Sequence, residues 1–148
     1  MTLNSVAVIV LAAGKGTRMN SDLPKVLHKV NGRSMIIRVI ESSLLFLKNL
    51  EVNKKDSHSY NVVIVIGHLW ELVKREVESC YRGVVKFAHQ EKLLGTGDAV
   101  RVSIPFLDDQ TEQILVVCGD IPLVKERTFL NLYESHLSAE NDITVLAV

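Results

Sequence analysis

The sequence predicts an α/β protein, a mostly parallel sheet with helices on both of its faces. Three observations carry that expectation. Short apolar runs rich in β-branched residues recur along the chain, at Val6–Leu11, Val62–Ile66, Val84–Ala88 and Ile114–Cys118. Continuous runs of this kind suit strands buried on both faces, the environment of a parallel sheet. Between them, apolar residues return every three or four positions, as on one face of a helix, and such alternation folds through right-handed crossovers into parallel pairs. Finally, 148 residues of which 47 % are hydrophobic are enough for one domain with a real core, taken as spanning residues 1–148.

Composition narrows the function classes. Acidic and basic residues balance at 17 each, which gives no reason to expect nucleic acid or an anionic membrane as partner. No apolar run approaches the ~18 residues of a membrane span. Val6–Leu11 is short for a signal peptide and lacks a basic segment before it, so a cytoplasmic location is expected. Cys80 and Cys118 fall in different elements and are expected to be free and buried.

Taken in order, Val6–Leu11 is the first strand. It breaks into Ala12-Ala13-Gly14-Lys15-Gly16-Thr17-Arg18, followed by Asp22-Leu23-Pro24-Lys25. Small residues and two glycines let a backbone approach a ligand and point several N–H groups at it. Lys15, Arg18 and Lys25 add positive charge, so the carboxyl end of this strand is suited to phosphates. It is not a Walker loop, since no register supplies Gly, four residues, then Gly-Lys-Ser/Thr. Nor is it a dinucleotide fingerprint, because the third glycine position is Met19 and no acidic residue ends the second apolar run. The plain alternative is a glycine-rich strand-to-helix turn.

Asn31-Gly32 marks a turn. Ser34 is placed to cap a helix to about Leu47, with Met35, Ile36, Val39, Ile40, Leu44 and Leu47 on one face. Lys48–Asn61 reads as a solvated loop. Val62–Ile66 is the second strand, ending at Gly67-His68, where the histidine is better read as a turn residue than as a catalytic one. A helix from about Leu69 to Cys80 follows, with Leu69, Leu72, Val73, Val77 and Cys80 as its stripe and Trp70 at the margin. Val84–Ala88 is the third strand. The segment Gln90 to Ala99 leads into a helix that ends at Pro105, and Thr96 or Asp98 is placed to cap it. Ile114–Cys118, closed by Gly119-Asp120-Ile121-Pro122, is the fourth strand. A helix from about Lys125 to Leu137 carries Phe129, Leu130, Tyr133 and Leu137 on one face, and Ile143–Val148 reads as a fifth strand. An apolar terminal strand of this kind needs covering: either it is central, inserted between earlier neighbours, or an exposed edge or face pairs with a second copy in a two-fold homodimer, the outcome expected here.

The stretch Leu-Ala-Ala-Gly-Lys-Gly-Thr-Arg-Met, with Asp-Leu-Pro-Lys after it, resembles the signature of the sugar-1-phosphate nucleotidyltransferases, in the MobA-like NTP transferase superfamily. The continuation Pro24-Lys25-Val26-Leu27-His28 is similar to the uridylyltransferase domain of the bacterial bifunctional enzymes that make UDP-N-acetylglucosamine. The resemblance implies a Rossmann-like nucleotide-diphospho-sugar transferase fold, here C-terminally truncated. The implied reaction joins UTP and N-acetylglucosamine-1-phosphate into UDP-N-acetylglucosamine and pyrophosphate. The resemblance assigns Leu11, Ala12, Ala13, Gly14, Lys15, Gly16 and Thr17 to nucleotide contact, and Arg18 and Lys25 to catalysis at the phosphates. Gln90, Gly95 and Thr96 match its base-reading segment, Gly119 belongs to the nucleotide site, and Asp120 matches the aspartate that holds Mg²⁺.

Chemistry agrees with these roles: a glutamine amide complements the uracil edge, an arginine grips phosphate bidentately, and a carboxylate suits a hard cation. Three departures stand out. The connection over Lys48–Asn61 is longer than usual in the family, a second glutamine two positions before Gly95 is replaced by Leu93, and the usual histidine after Gly95-Thr96-Gly97 is Asp98. The resemblance also places the sugar-binding residues and a second metal ligand, an asparagine, beyond residue 148. It implies no trimer without the β-helix acetyltransferase domain of the family. Binding of nucleotide without turnover is the alternative function.

Overall fold

The protein was analysed as a computed structural model that describes residues 5–16, 19–50 and 61–147. Four strands form one sheet: β1 (Ser5–Leu11), β4 (Val62–Ile66), β5 (Lys86–His89) and β6 (Thr111–Cys118). Their order is β5-β4-β1-β6 and every pairing is parallel. Two two-residue strands, β2 (Lys29–Val30) and β3 (Arg33–Ser34), form a separate antiparallel ribbon. The helices are α1 (Met35–Leu50), α2 (Trp70–Tyr81), α3 (Thr96–Ser103) and α4 (Glu126–Ser138). Short 3-10 turns occupy Lys25–Leu27 and Ile104–Phe106, the latter carrying the helix-ending Pro105.

Strand alternation sends successive side chains to opposite faces, and the two faces are covered unequally. Val8, Val10, Val62, Ile64 and Val117 join α1, α2 and α4 in the larger core. Phe46 is its centre, fully buried and edge-on to both Phe129 and Tyr133. Ile9, Val63, Val65 and Ala88 point the other way and meet Ala99 of α3 in a smaller cluster. That single helix does not reach across to β6, whose Ile114 and Val116 are 44 % and 43 % exposed.

The first four strands and four helices lie where the sequence predicts them, within a few residues. Several local expectations fail. Residues 143–147 form no strand, and Ile143 and Val145 are about four-fifths exposed. An apolar run becomes a strand only where a neighbour offers backbone to pair with, and this one lies on no ladder of the sheet. Ser34 does not cap α1: it ends β3, and its buried hydroxyl has no hydrogen-bond partner among the described residues. Neither Thr96 nor Asp98 caps α3, where Gly95 stands at the N-cap with no side-chain bond. Of the expected solvated loop, Lys48, Asn49 and Leu50 extend α1, Asn61 is buried and its side-chain amide donates to Thr111 Oγ1 at 2.8 Å, and 51–60 lie outside the described residues. On α2 only Val73 and Val77 of the stripe are buried. Cys80 and Cys118 are free but exposed, Cys118 lying on the same face of β6 as the exposed Ile114 and Val116. No helix among the described residues is long and apolar enough to cross a membrane.

Candidate functional site

The sheet order sets where a ligand can sit. After β1 the chain adds β4 and β5 on one side and then returns to place β6 on the other, so the strand order reverses at β1 and the loops at the carboxyl ends of β1 and β6 diverge to leave a crevice. The loop after β1 runs along that crevice. Ala12 N–H donates to Val65 O at 2.8 Å, and His68 N–H donates to Ala13 O at 3.3 Å, which ties the loop to the end of β4. Gly119 N–H donates to Leu11 O at 2.8 Å, which ties it to the end of β6.

Glycine is required at two of these contacts. A Cβ on Gly67 would stand 2.8 Å from the Ala13 Cβ and 2.9 Å from its carbonyl oxygen. A Cβ on Gly16, whose φ is +60°, would stand 2.8 Å from the Lys25 Cβ. The second contact seats the loop directly on the stem of the lysine. By contrast, a Cβ on Gly14 would meet nothing within 4 Å, so the loop's first glycine faces open space.

Lys25 and Asp120, 95 residues apart in sequence, meet here. The Lys25 ammonium donates to Asp120 Oδ2 at 2.6 Å, with the side chains 42 % and 32 % exposed. This pairs the expected phosphate cation with the expected metal carboxylate. Asp120 brings one carboxylate, and no cluster of three or more His, Cys, Asp or Glu occurs among the described residues. One carboxylate open to solvent fits Mg²⁺, which keeps several waters and shares its shell with substrate phosphates.

The second group lies at the end of β5. Gln90 N–H donates to Ile66 O at 2.8 Å, which fixes the residue beside the end of β4, and Gln90 is 96 % buried by its 4 % exposure. Its side-chain Nε2 donates to Gly95 O at 3.0 Å and to Asp98 Oδ2 at 2.8 Å. Asp98 Oδ1 in turn accepts from Arg101 Nε at 3.0 Å and Nη2 at 2.6 Å. The Gln90 amide, then the Arg101 guanidinium, hold the Asp98 carboxyl below its usual range.

Thus Leu11, Ala12, Ala13, Gly14, Lys15, Gly16, Lys25, Gly119 and Asp120 line one end of the carboxyl edge, and Gln90, Gly95 and Thr96 the other. The end of β4, through Val65 and Ile66, is bonded to both. Thr17 and Arg18 lie outside the described residues. Sequence reasoning missed the bond between Gln90 and Asp98; the signal available was the acidic residue standing where the family has histidine.

Residues 8–148 match the family model for the MobA-like NTP transferase domain. Two proteins named "Bifunctional protein GlmU" are similar in sequence. That of Gloeothece citriformis is 41 % identical over 141 residues, and that of Streptococcus gordonii is 44 % identical over 138. The matches take in 95 % and 93 % of this chain but only 28 % and 27 % of those proteins. The chain therefore spans just over a quarter of the length of the curated relatives it matches. In structure it is similar to the 4-diphosphocytidyl-2C-methyl-D-erythritol synthase of Anaerococcus prevotii, with a TM-score of 0.67 at 18 % identity, over 99 % of this chain and 60 % of that one.

Proposed function

The chain belongs to the MobA-like NTP transferase domain family, and from that premise we propose that it binds UTP in the crevice and transfers its uridylyl group to N-acetylglucosamine-1-phosphate. The observation that carries this reading is the meeting of the glycine loop, Lys25 and Asp120 at the diverging ends of β1 and β6. The similarity to proteins named GlmU supports the choice of uridine and N-acetylglucosamine within the family.

In the proposed reaction an oxygen of the sugar phosphate forms a bond to the α-phosphorus of UTP. The bond from that phosphorus to the bridging oxygen breaks, and pyrophosphate leaves with the electron pair. The reaction needs no covalent nucleophile from the protein, so catalysis rests on alignment and charge neutralisation. The loop after β1, from Ala13 to Gly16, would offer backbone N–H groups to the triphosphate. Lys25, with Arg18, supplies positive charge against the phosphate oxygens. Asp120 would hold Mg²⁺, which when bound neutralises phosphate charge. Gln90 and Gly95, with Thr96, receive the base.

A second reading is nucleotide binding without turnover. Calorimetric titration with UTP and Mg²⁺ tests the binding, and pyrophosphate release in the presence of N-acetylglucosamine-1-phosphate tests the transfer. Heat of binding without pyrophosphate selects the second reading. No heat at all refutes both.

A further inference from the structure

The bonds around Gln90 fix which way its amide faces. Gly95 O is a carbonyl oxygen and Asp98 Oδ2 is a carboxylate oxygen, so both can only accept. The group facing them must be the NH2 of Gln90. Turned over, the amide would set its own oxygen about 3 Å from two other oxygens, one of them charged, which costs both hydrogen bonds and adds repulsion. Arg101 holds the other carboxylate oxygen of Asp98 through two N–H groups, so the acceptor is itself anchored.

The consequence lies on the opposite edge of the amide. An NH2 group has two hydrogens, and both are engaged. Oε1 makes no hydrogen bond among the described residues. Nor is it one of the sealed polar atoms left without a partner, which are His28 Nε2, Ser34 Oγ and Asn61 Oδ1. Gln90 therefore presents a ligand with an acceptor and no donor.

We propose that Asp98 is a positioning residue that sets base selectivity: it turns both donors of Gln90 inward, so the base is read by Oε1 and must offer a ring N–H there. Uracil carries such an N–H at N3. Cytosine has a lone pair at the same ring position, which repels Oε1. This inference rests on the proposed nucleotide site and assigns its discrimination to a residue outside the base-contacting set.

The test compares UTP and CTP affinity by calorimetry in the full chain and in Asp98→Ala and Asp98→Asn. The unchanged chain should favour UTP. Asp98→Ala frees one donor of Gln90 and lowers the cost of turning the amide, so the UTP:CTP ratio should fall about tenfold, mostly through tighter CTP binding; hydrogen bonds to charged groups are large enough for that. Asp98→Asn keeps an acceptor facing Gln90 and should restore most of the ratio. A ratio unchanged in Asp98→Ala, with UTP binding intact, overturns the inference and leaves the nucleotide site standing. Failure of the unchanged chain to bind UTP overturns both. A measurement without substitution guards against misfolding: both Gln90 side-chain amide protons should exchange slowly in the nucleotide-free protein. Fast exchange of either one overturns the inference.

Discussion

The two ends of the crevice are prepared in opposite ways. At the end of β5 a buried glutamine is locked by bonds to Gly95 and Asp98, and Asp98 is locked by Arg101. At the junction of β1 and β6 a half-exposed lysine and aspartate neutralise each other. A hydrogen bond to a charged group is stronger than one between neutral groups, whereas an exposed ion pair is worth only about 0.2–1 kcal/mol. One end is therefore set before a ligand arrives. The other holds its charges together at low cost and can part them when phosphate and metal offer each a better partner.

The largest effect that separates the two ends is on binding. Lys25→Ala should weaken UTP by about 10- to 150-fold, the worth of a charge-assisted hydrogen bond. The same substitution should tighten Mn²⁺ binding to the nucleotide-free protein, because Asp120 loses its competitor. Relaxation enhancement measured without UTP reads this directly. If Mn²⁺ binds equally well with and without Lys25, the ion pair is not a placeholder.

Next in size is the strut between the ends. Gly67→Ala drives a methyl group into the backbone of Ala13 and should cost about 1–3 kcal/mol by overpacking. Thermal unfolding measures it, and a tolerated alanine would mean that the loop after β1 moves freely against β4.

A smaller effect follows from acid. The Gln90 amide, and after it Arg101, hold the Asp98 carboxyl below the usual carboxylate range. A depressed carboxylate contributes stability that is complete above the unfolded value and is lost as pH falls through the folded one. The difference in melting temperature between the unchanged chain and Asp98→Asn should thus be constant near neutrality and shrink only below about pH 4. A difference that fades between pH 5 and 7 would assign it to another group.

The smallest effect belongs to the ion pair itself. Lys25→Met should change folding stability by less than about 1 kcal/mol, although the same side chain is expected to dominate phosphate binding. A larger loss would make the pair structural and erase the contrast between the two ends.

The sheet and the first end of the site were legible from residues because their signals are local. Val6–Leu11 and Val62–Ile66 are apolar throughout, as strands buried on both faces must be, and the glycine loop follows the first directly. What was not legible depends on partners distant in sequence. Ile143–Val148 has strand composition, but composition cannot supply a neighbouring backbone. Phe46 falls outside the stripe read for α1, yet α4 brings Phe129 and Tyr133 to it and makes it the centre of the core. Gln90 was recognisable as a polar reader, but the direction of its amide depends on Asp98 eight positions on, folded back by the turn at Gly95. The pairing of Lys25 with Asp120 spans most of the chain and follows only from β1 and β6 being neighbours.

The bare face of β6 has a practical side. Thr111–Cys118 is the outer strand of the sheet, and Ile114, Val116 and Cys118 lie in a row on its uncovered face. Exposed apolar outer strands are templates for adventitious strand addition between molecules. At the concentrations used in calorimetry, this chain is expected to self-associate in a way that grows with ionic strength and with time in air, as the apolar row is salted out and the thiol oxidises. A lysine at position 116, remote from Gln90 and on the face opposite the larger core, is the natural gatekeeper. Light scattering of Val116→Lys beside the unchanged chain would show whether one charge keeps the solution clear.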